Sequence, residues 1–452
     1  MDRHVYLGTR SATAAAAAAA AEDLVSKAPP EIIRKVFGLL PACVSRGLSK
    51  SFKTIFAGRS TAVSTLSSPQ LRWAVESAGL PLTAQLSSFL ASEGRLEDLQ
   101  RVHSMGCAWN SDTCTNAAQR GHLLVLKWAR SKGCPWGTLT CSHAAAARQL
   151  AILEWLRAQK PPCPWDCYTF RLAAAAGGFH SLLVMEWLRE QDPPCPWDET
   201  ACIAAARVGH LDGLKVLRYL GCPWNIGVVW AAAQGGHLAV LQWALENGCA
   251  WDHSTCTNAA QGGHLAVLQW LRAQEPPCPW SSDVCSNAAY GGHLELLQWA
   301  RAQGCEWSSD VCSNAAYGGH LELLQWARAQ GCEWHGTEAI NAAENGHLAV
   351  LQWVQTQLWQ NREEWPQHRR IICSRAARGG HLAVLQWLRA QDPPYPWHPG
   401  VCALAARGGH LEVLQWLRAQ TPPCPWDEDV RLNATQEGHA ALLQWAIDNG
   451  CP

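Results

Sequence analysis

Residues 281–307 read SSDVCSNAAYGGHLELLQWARAQGCEW, and residues 308–334 repeat the same 27 residues without a change. The tripeptide Gly-His-Leu in this unit aligns the rest of the chain. A histidine takes this slot at His122, His180, His210, His237, His264, His293, His320, His347, His381, His410 and His439. Gln149 and Arg95 stand there in degenerate copies. The spacing is mostly 27 or 29 residues, and an internal period of that size predicts a solenoid of stacked units.

The two spacings differ in one loop. Short units close with a run such as Gln303-Gly304-Cys305-Glu306-Trp307, and longer ones with Pro-Pro-Cys-Pro-Trp, as at residues 161–165, 193–197, 276–280 and 422–426. A larger insertion, about Gln355–Ile371, stretches one unit to 34 residues. Loops tolerate such insertions.

Each unit reads as two short helices. In residues 308–334, Asp310 is the expected N-cap, and Cys312, Ala315 and Ala316 share one face of the first helix. Gly318-Gly319 breaks it. A second helix from His320 carries Leu321, Leu323, Leu324, Trp326 and Ala327 as an apolar stripe, with Glu322, Gln325 and Arg328 opposite. Helices this short are unstable alone, so the stripe must be buried against the next copy.

The pattern of residues 314–326, NAAYGGHLELLQW, resembles the helix-turn-helix of the ankyrin repeat. The resemblance covers about residues 85–452 and some thirteen copies, and it implies an all-α solenoid of ankyrin-type repeats. The family unit is longer by six residues, at the place of its β-hairpin fingers. A tight turn with Cys-Pro-Trp is expected there, which leaves the concave helical face for a partner. A second resemblance lies in residues 28–41, APPEIIRKVFGLLP, which is similar to the opening of an F-box; residues 48–52, LSKSF, resemble a later part of it. It implies that Pro30, Glu31, Ile32, Val36, Phe37 and Leu40 dock a Skp1-type adaptor. The alternative is a helical cap on the first repeat. The expected order is a disordered Ala-rich tail at 1–24, the F-box-like or capping segment at 25–58, a linker or cap at 59–84, and the solenoid at 85–452.

The chain has 26 Trp and 21 Cys but only 6 Tyr and 6 Phe, and the repeat explains this excess. Trp falls into two columns, one in the second helix (Trp299, Trp326) and one in the loop (Trp307, Trp334). The loop column is expected to fold over neighbouring repeats, each fully buried ring contributing about 2–3 kcal/mol. Base stacking needs basic neighbours, and acids such as Asp166, Asp252 and Asp427-Glu428-Asp429 follow the loops instead. Cysteines recur as C-x6-C, for example Cys305 and Cys312. That spacing is outside the usual zinc range, and the slots also accept Val229, Ala339 and Tyr395, so a metal-binding Cys/His array ranks behind simple packing. A histidine copied eleven times is likewise a structural part; it is expected to bond a backbone group and face the next repeat.

The net charge is −1, which weighs against nucleic acid as a partner. No run approaches the roughly 18 apolar residues of a spanning helix. The longest, Ala14–Ala21, is followed by Glu22 and Asp23 and fits a secretory signal poorly; with Arg3 and Arg10 against Asp2 a transit peptide is the alternative. Reduced cysteines and a cytoplasmic or nuclear location are expected. Lysine is absent after Lys215, as codon bias or protection from ubiquitin transfer would produce. No phosphate loop, catalytic triad or unique carboxylate pair appears, so no cofactor, metal or enzymatic activity is expected.

Differing positions carry specificity. The slot three before the histidine holds Gln119, Arg207, Gln234, Gln261, Tyr290, Tyr317, Glu344, Arg378, Arg407 and Gln436; the slot six before it holds Asn116, Asn258, Asn287, Asn314, Asn341, Arg375 and Leu404. Tyr and Arg dominate interface energetics, so Arg207, Tyr290, Tyr317, Arg375, Arg378 and Arg407 are the candidate partner-binding residues. The chain reads as a monomeric, non-enzymatic scaffold for a protein partner, with no membrane contact. The alternative is a substrate receptor of a ubiquitin ligase.

Overall fold

A computed structural model describes residues 68–76, 81–308, 310–334, 336–358 and 365–452. The sequence readings for residues 1–24 and 25–58 therefore lie outside the described residues. The described residues are helical, with no strand among them. After a helix at Ser68–Glu76 they form thirteen helix pairs, from Ala84–Ser92 with Leu96–Ser104 to Asp429–Gln436 with Ala440–Asp448. This is an α-solenoid of helix-turn-helix repeats. The chain divides into two compact units, one of residues up to 205 with 212–222, the other of 206–211 with 223–452.

Within the first unit the first helices Ala84–Ser92, Ser111–Gln119, Thr138–Ala146 and Cys167–Ala175 stack in sequence order. In the second unit the same stacking runs from Gly227–Gln234 to Asp429–Gln436. Small side chains let these helices approach closely. Cys285, Ala288 and Ala289 are fully buried, as are Cys312, Ala315 and Ala316 in the next copy. The second helices supply the larger apolar groups, such as Leu296, Leu297 and Ala300. Each fully buried leucine contributes about 1.5–3 kcal/mol. The stripe is narrower than expected: Leu323, Leu324 and Ala327 are buried, whereas Leu321 and Trp326 are half-buried. Asp310 opens its helix rather than capping it, its N–H lying 3.3 Å from Ser308 Oγ.

The turn between the two helices explains Gly-His. Gly263 has φ +76°, and the His264 N–H bonds the Ala259 carbonyl at 2.9 Å while the Gly263 N–H bonds Ala260 at 3.1 Å. This pair of bonds is a Schellman end. His264 then takes φ −92° and ψ 76°, and the Leu265 N–H returns to the Gly263 carbonyl at 3.2 Å, an inverse γ-turn that redirects the chain into the second helix.

The imidazole ties this turn to the preceding repeat, not to the next one as expected from the sequence. His264 Nε2 donates to the Gln234 carbonyl at 2.9 Å, and Gln234 ends the first helix one repeat earlier. The same bond recurs from His237 to Arg207, from His320 to Tyr290 and from His410 to Arg378, at 2.9–3.0 Å. The last carbonyls of a helix have no partner inside it, and the histidine of the following repeat supplies one. The ring lies on the preceding glycine: a Cβ on Gly209 would stand 2.5 Å from His237 Nδ1.

One assignment in the histidine column is corrected. His180 lies inside the helix Phe179–Glu190 and is exposed. Ser181, the next residue, is buried, and its Oγ donates to the Ala173 carbonyl in the first helix of its own repeat at 2.5 Å. An extra stretch after Gly177-Gly178 moves the histidine out of register there. In the copy before it, Arg148 stands where glycine is usual and has φ +60°, the positive-φ non-glycine among the described residues.

Gly319 and Gly331 separate the two demands on glycine. Both have φ above +79°, but a Cβ on Gly319 would meet His347 Nδ1 at 2.5 Å, while one on Gly331 meets nothing within 4 Å. Gly331→Ala is expected to cost about 1–2 kcal/mol from the backbone alone. Gly319→Ala should cost more, because the His347 ring must also move. Urea unfolding of both variants measures this; equal losses would remove the ring-packing account.

Candidate partner-binding face

The loops and second helices form the edge that the sequence marks by Trp and Cys. The loop cysteine returns to the same place at both loop lengths: Cys305 N–H bonds the Ala300 carbonyl at 2.9 Å in a short unit, and Cys278 N–H bonds Leu271 at 3.1 Å in a long one. The two extra residues are absorbed before the cysteine. Five long loops contain a cis X–Pro bond, for example Glu275–Pro276.

The thiols link successive loops. Cys278 Sγ donates to the Asp252 carbonyl at 3.3 Å, Cys305 to Ser281 at 3.5 Å and Cys134 to Asn110 at 3.4 Å. The first-helix cysteines face loops rather than their C-x6-C partners: Cys114 Sγ lies 4.0 Å from the Cys134 carbonyl, and Cys256 Sγ lies 4.0 Å from that of Cys278. No group of three or more His, Cys, Asp or Glu able to hold a metal ion occurs among the described residues. Burial pushes the Cys195 and Cys373 thiols up to about 12. At neutral pH both hold their protons and are not thiolate ligands or nucleophiles.

Most loop Trp pack on the second-helix Trp of the next repeat; Trp197, followed by a helix with Val216 in that slot, meets Phe170 at 5.1 Å instead. Trp280 meets Trp299 edge to face at 5.9 Å and 72°, and Trp307 meets Trp326 at 5.9 Å and 77°. The rings fold over the neighbouring repeat as expected but are half-buried throughout, so each contributes less than a fully buried ring would.

The second-helix arginines do work that the sequence reading missed. By helical spacing Arg328 falls on the polar side, yet its guanidinium lies 4.7 Å from the Trp334 ring centroid, and its Nη1 donates to the Cys332 carbonyl. Arg272 stacks on Trp280 at 4.2 Å and bonds the Cys278 carbonyl at 2.7 Å. Arg157 and Arg301 repeat the arrangement on Trp165 and Trp307. The signal was available: an Arg two residues after the helix Trp accompanies most loop Trp, and Leu245 replaces it before Trp251.

The opposite, first-helix face carries the candidate residues. The asparagine slot is structural in several copies. Asn116 Nδ2 donates to the Ser88 carbonyl, Asn314 to Ser286 and Asn341 to Ser313, at 3.2–3.4 Å, each reaching the preceding repeat. Asn258 and Asn287 bond inside their own helices. These residues are half-buried and do not form the open stripe expected of them.

The slot three before the histidine is exposed in most copies and half-buried at Gln234 and Glu344. Tyr290 and Tyr317 are 45% and 41% exposed and stack on each other at 5.6 Å and 26°. Gln234 donates to Gln261 at 3.1 Å. Glu344 pairs with Arg375 and Arg378, each at 3.4 Å, and Arg407 pairs with Glu437 at 3.3 Å. The carbonyls of Arg207, Tyr290, Tyr317, Arg378 and Arg407 all accept from a histidine, which pins the backbone and leaves the side chains outward. The structure brings Arg375, Arg378 and Arg407 to one groove of about 590 Å³, with Arg370, Ile371 and Leu404. Arg207 stands apart from them. A second groove of about 470 Å³, in the first unit, is lined by Gln85, Ser88, Phe89, Asn110, Asp112 and Asn116.

No family model matches the chain, and no curated protein matches it. Among solved structures, the human ASB11 ankyrin repeat domain aligns at 20% identity and TM-score 0.27, covering 34% of this chain and 82% of that one. The pentatricopeptide repeat protein PPR10 from maize aligns at 13% identity and TM-score 0.31, covering 94% of this chain and 89% of that one. Both descriptions are of repeat proteins. At these scores neither likeness assigns a family or a partner.

The raised thiol values set a pH dependence. An unfolded cysteine ionises near 8.5, whereas Cys195 holds its proton to about 12, so its contribution is full below about 8.5 and lost between there and 12. Stability should fall with rising pH across that window, by up to about 1.4 kcal/mol per pH unit for one such thiol. In urea unfolding at stepped pH, Cys195→Ala should show a shallower fall than the parent protein. The same slope in both would mean the thiol does not hold its proton.

Proposed function

We propose that this chain is a non-enzymatic scaffold that binds a protein partner on the exposed face of its first helices. One observation carries the reading. Along that face the main chain is tied repeat to repeat by histidine, while the side chain at the same position varies among Gln, Tyr, Glu and Arg and is exposed in most copies. A fixed spacing with freely varied side chains suits recognition. The repeated His, Cys and Trp are consumed by packing and hydrogen bonds, which leaves no reactive constellation among the described residues. No described helix is long and apolar enough to cross a membrane.

The stacked Tyr290 and Tyr317 are the first anchor of this reading, because a preordered aromatic pair contributes contact area at little entropic cost. Affinity capture with the full chain, compared against a Tyr290→Ala/Tyr317→Ala variant, tests it. The variant should unfold within about 0.5 kcal/mol of the parent, since both rings are exposed. It should retain less than about a tenth of the captured partner. Undiminished capture would move the site elsewhere.

A second reading adds an adaptor to the same scaffold. Residues 28–41 resemble an F-box opening, and the ubiquitin-ligase receptor reading rests on them. Co-purification of the full chain with a Skp1-type adaptor, lost on Ile32→Ala/Phe37→Ala, is its expected outcome. Absence of the adaptor from parent preparations would leave the segment as a cap.

A further inference from the structure

The repeat that departs most from the pattern builds a basic groove. Its insertion lengthens the first helix to Trp365–Arg378, which has 14 residues where Asp310–Gly318 and Pro399–Arg407 have nine. The added residues, 365–369, precede Arg370, which lines a groove with Arg375 and Arg378 of the same helix and Arg407 of the next. None of its lining residues is acidic. Ile371, 42% exposed, and half-buried Leu404 give it apolar surface between the cations.

The charge is only partly balanced. Glu344 is shared by Arg375 and Arg378, and Glu437 serves Arg407, through contacts of 3.3–3.4 Å between groups 28–50% exposed. Four arginines thus face two carboxylates at the groove's edge. Exposed pairs of this kind are weak, so an incoming carboxylate can replace them at little cost. Arginine presents donors in a planar fork that matches a carboxylate bidentately.

We propose that this groove binds an acidic segment of the partner protein, its carboxylates held by Arg370, Arg375, Arg378 and Arg407 and an aliphatic side chain set between Ile371 and Leu404. This rests on the scaffold reading above and names the chemistry of one part of the partner. The apolar floor and the two carboxylates already in place favour a peptide over a nucleic-acid backbone.

The test uses the full chain and a fluorescein-labelled peptide of repeated Glu-Glu-Leu. Its anisotropy should rise on binding, and the affinity should fall with added salt. Arg370→Gln/Arg407→Gln should weaken it about tenfold or more, with the thermal transition unchanged because both side chains are exposed. Arg370→Lys/Arg407→Lys should fall between, keeping charge but losing the fork. The proposal is overturned if the peptide does not bind, if the Gln variant binds it equally, or if a Lys-Lys-Leu peptide binds as well. Tighter binding of an oligouridylate of equal length, lost in the Gln variant, overturns it in favour of nucleic acid. A partner lost from Tyr290→Ala/Tyr317→Ala but kept by Arg370→Gln/Arg407→Gln would sink the groove and leave the scaffold reading standing.

Discussion

The imidazole that bonds backward by one repeat is the contact on which the rest of the array depends. A short helix leaves its last carbonyls unsatisfied, and a helix pair buries too little to stand alone. Histidine answers both at once. Its main chain makes the inverse γ-turn between the two helices, its Nε2 takes an orphan carbonyl of the preceding first helix, and its ring lies on that repeat's turn glycine. Glycine at the left-handed position is therefore needed twice, for its φ and for the space above it.

The loop edge is held by a second set of contacts that runs the same way. The thiols of most loops reach the main chain of the loop before, and most loop Trp meet the Trp of the next second helix. Arginine binds the two sets, stacking on the Trp and donating to the cysteine carbonyl. An unusual composition in Trp and Cys is thus the outcome of one interface copied many times. The tight loop carries aromatic and guanidinium contacts rather than strand hydrogen bonds.

Much of this was legible in residues 281–334. A unit copied without change defines the period, the Gly-Gly break and the apolar spacing define two helices, and the varied slot three before the histidine marks the exposed face. Other features were not legible. His180 lies near Gly-Gly, yet Phe179 intervenes and the histidine falls on the outside of a helix, while the buried Ser181 bonds a carbonyl of its own first helix. Asn314 and Tyr317 look equally exposed by helical spacing, but only the stacking of first helices decides that the carboxamide meets a carbonyl and the ring does not. Arg328 reads as a solvated charge until the loop folds back beneath it.

The amino-acid sequence by itself determined the repeat, the helix pair and the places where glycine, alanine and cysteine must be small, because each follows from local backbone geometry and side-chain volume. It also determined which positions vary. Tertiary structure alone decided the partners of the histidines and loop thiols, since those partners lie 24 to 37 residues away in the preceding copy. It alone gathered Arg370, Arg375, Arg378 and Arg407 into one groove. Sequence spacing sets a residue's place on its own helix; what lies opposite depends on how far one repeat is shifted and turned against the next.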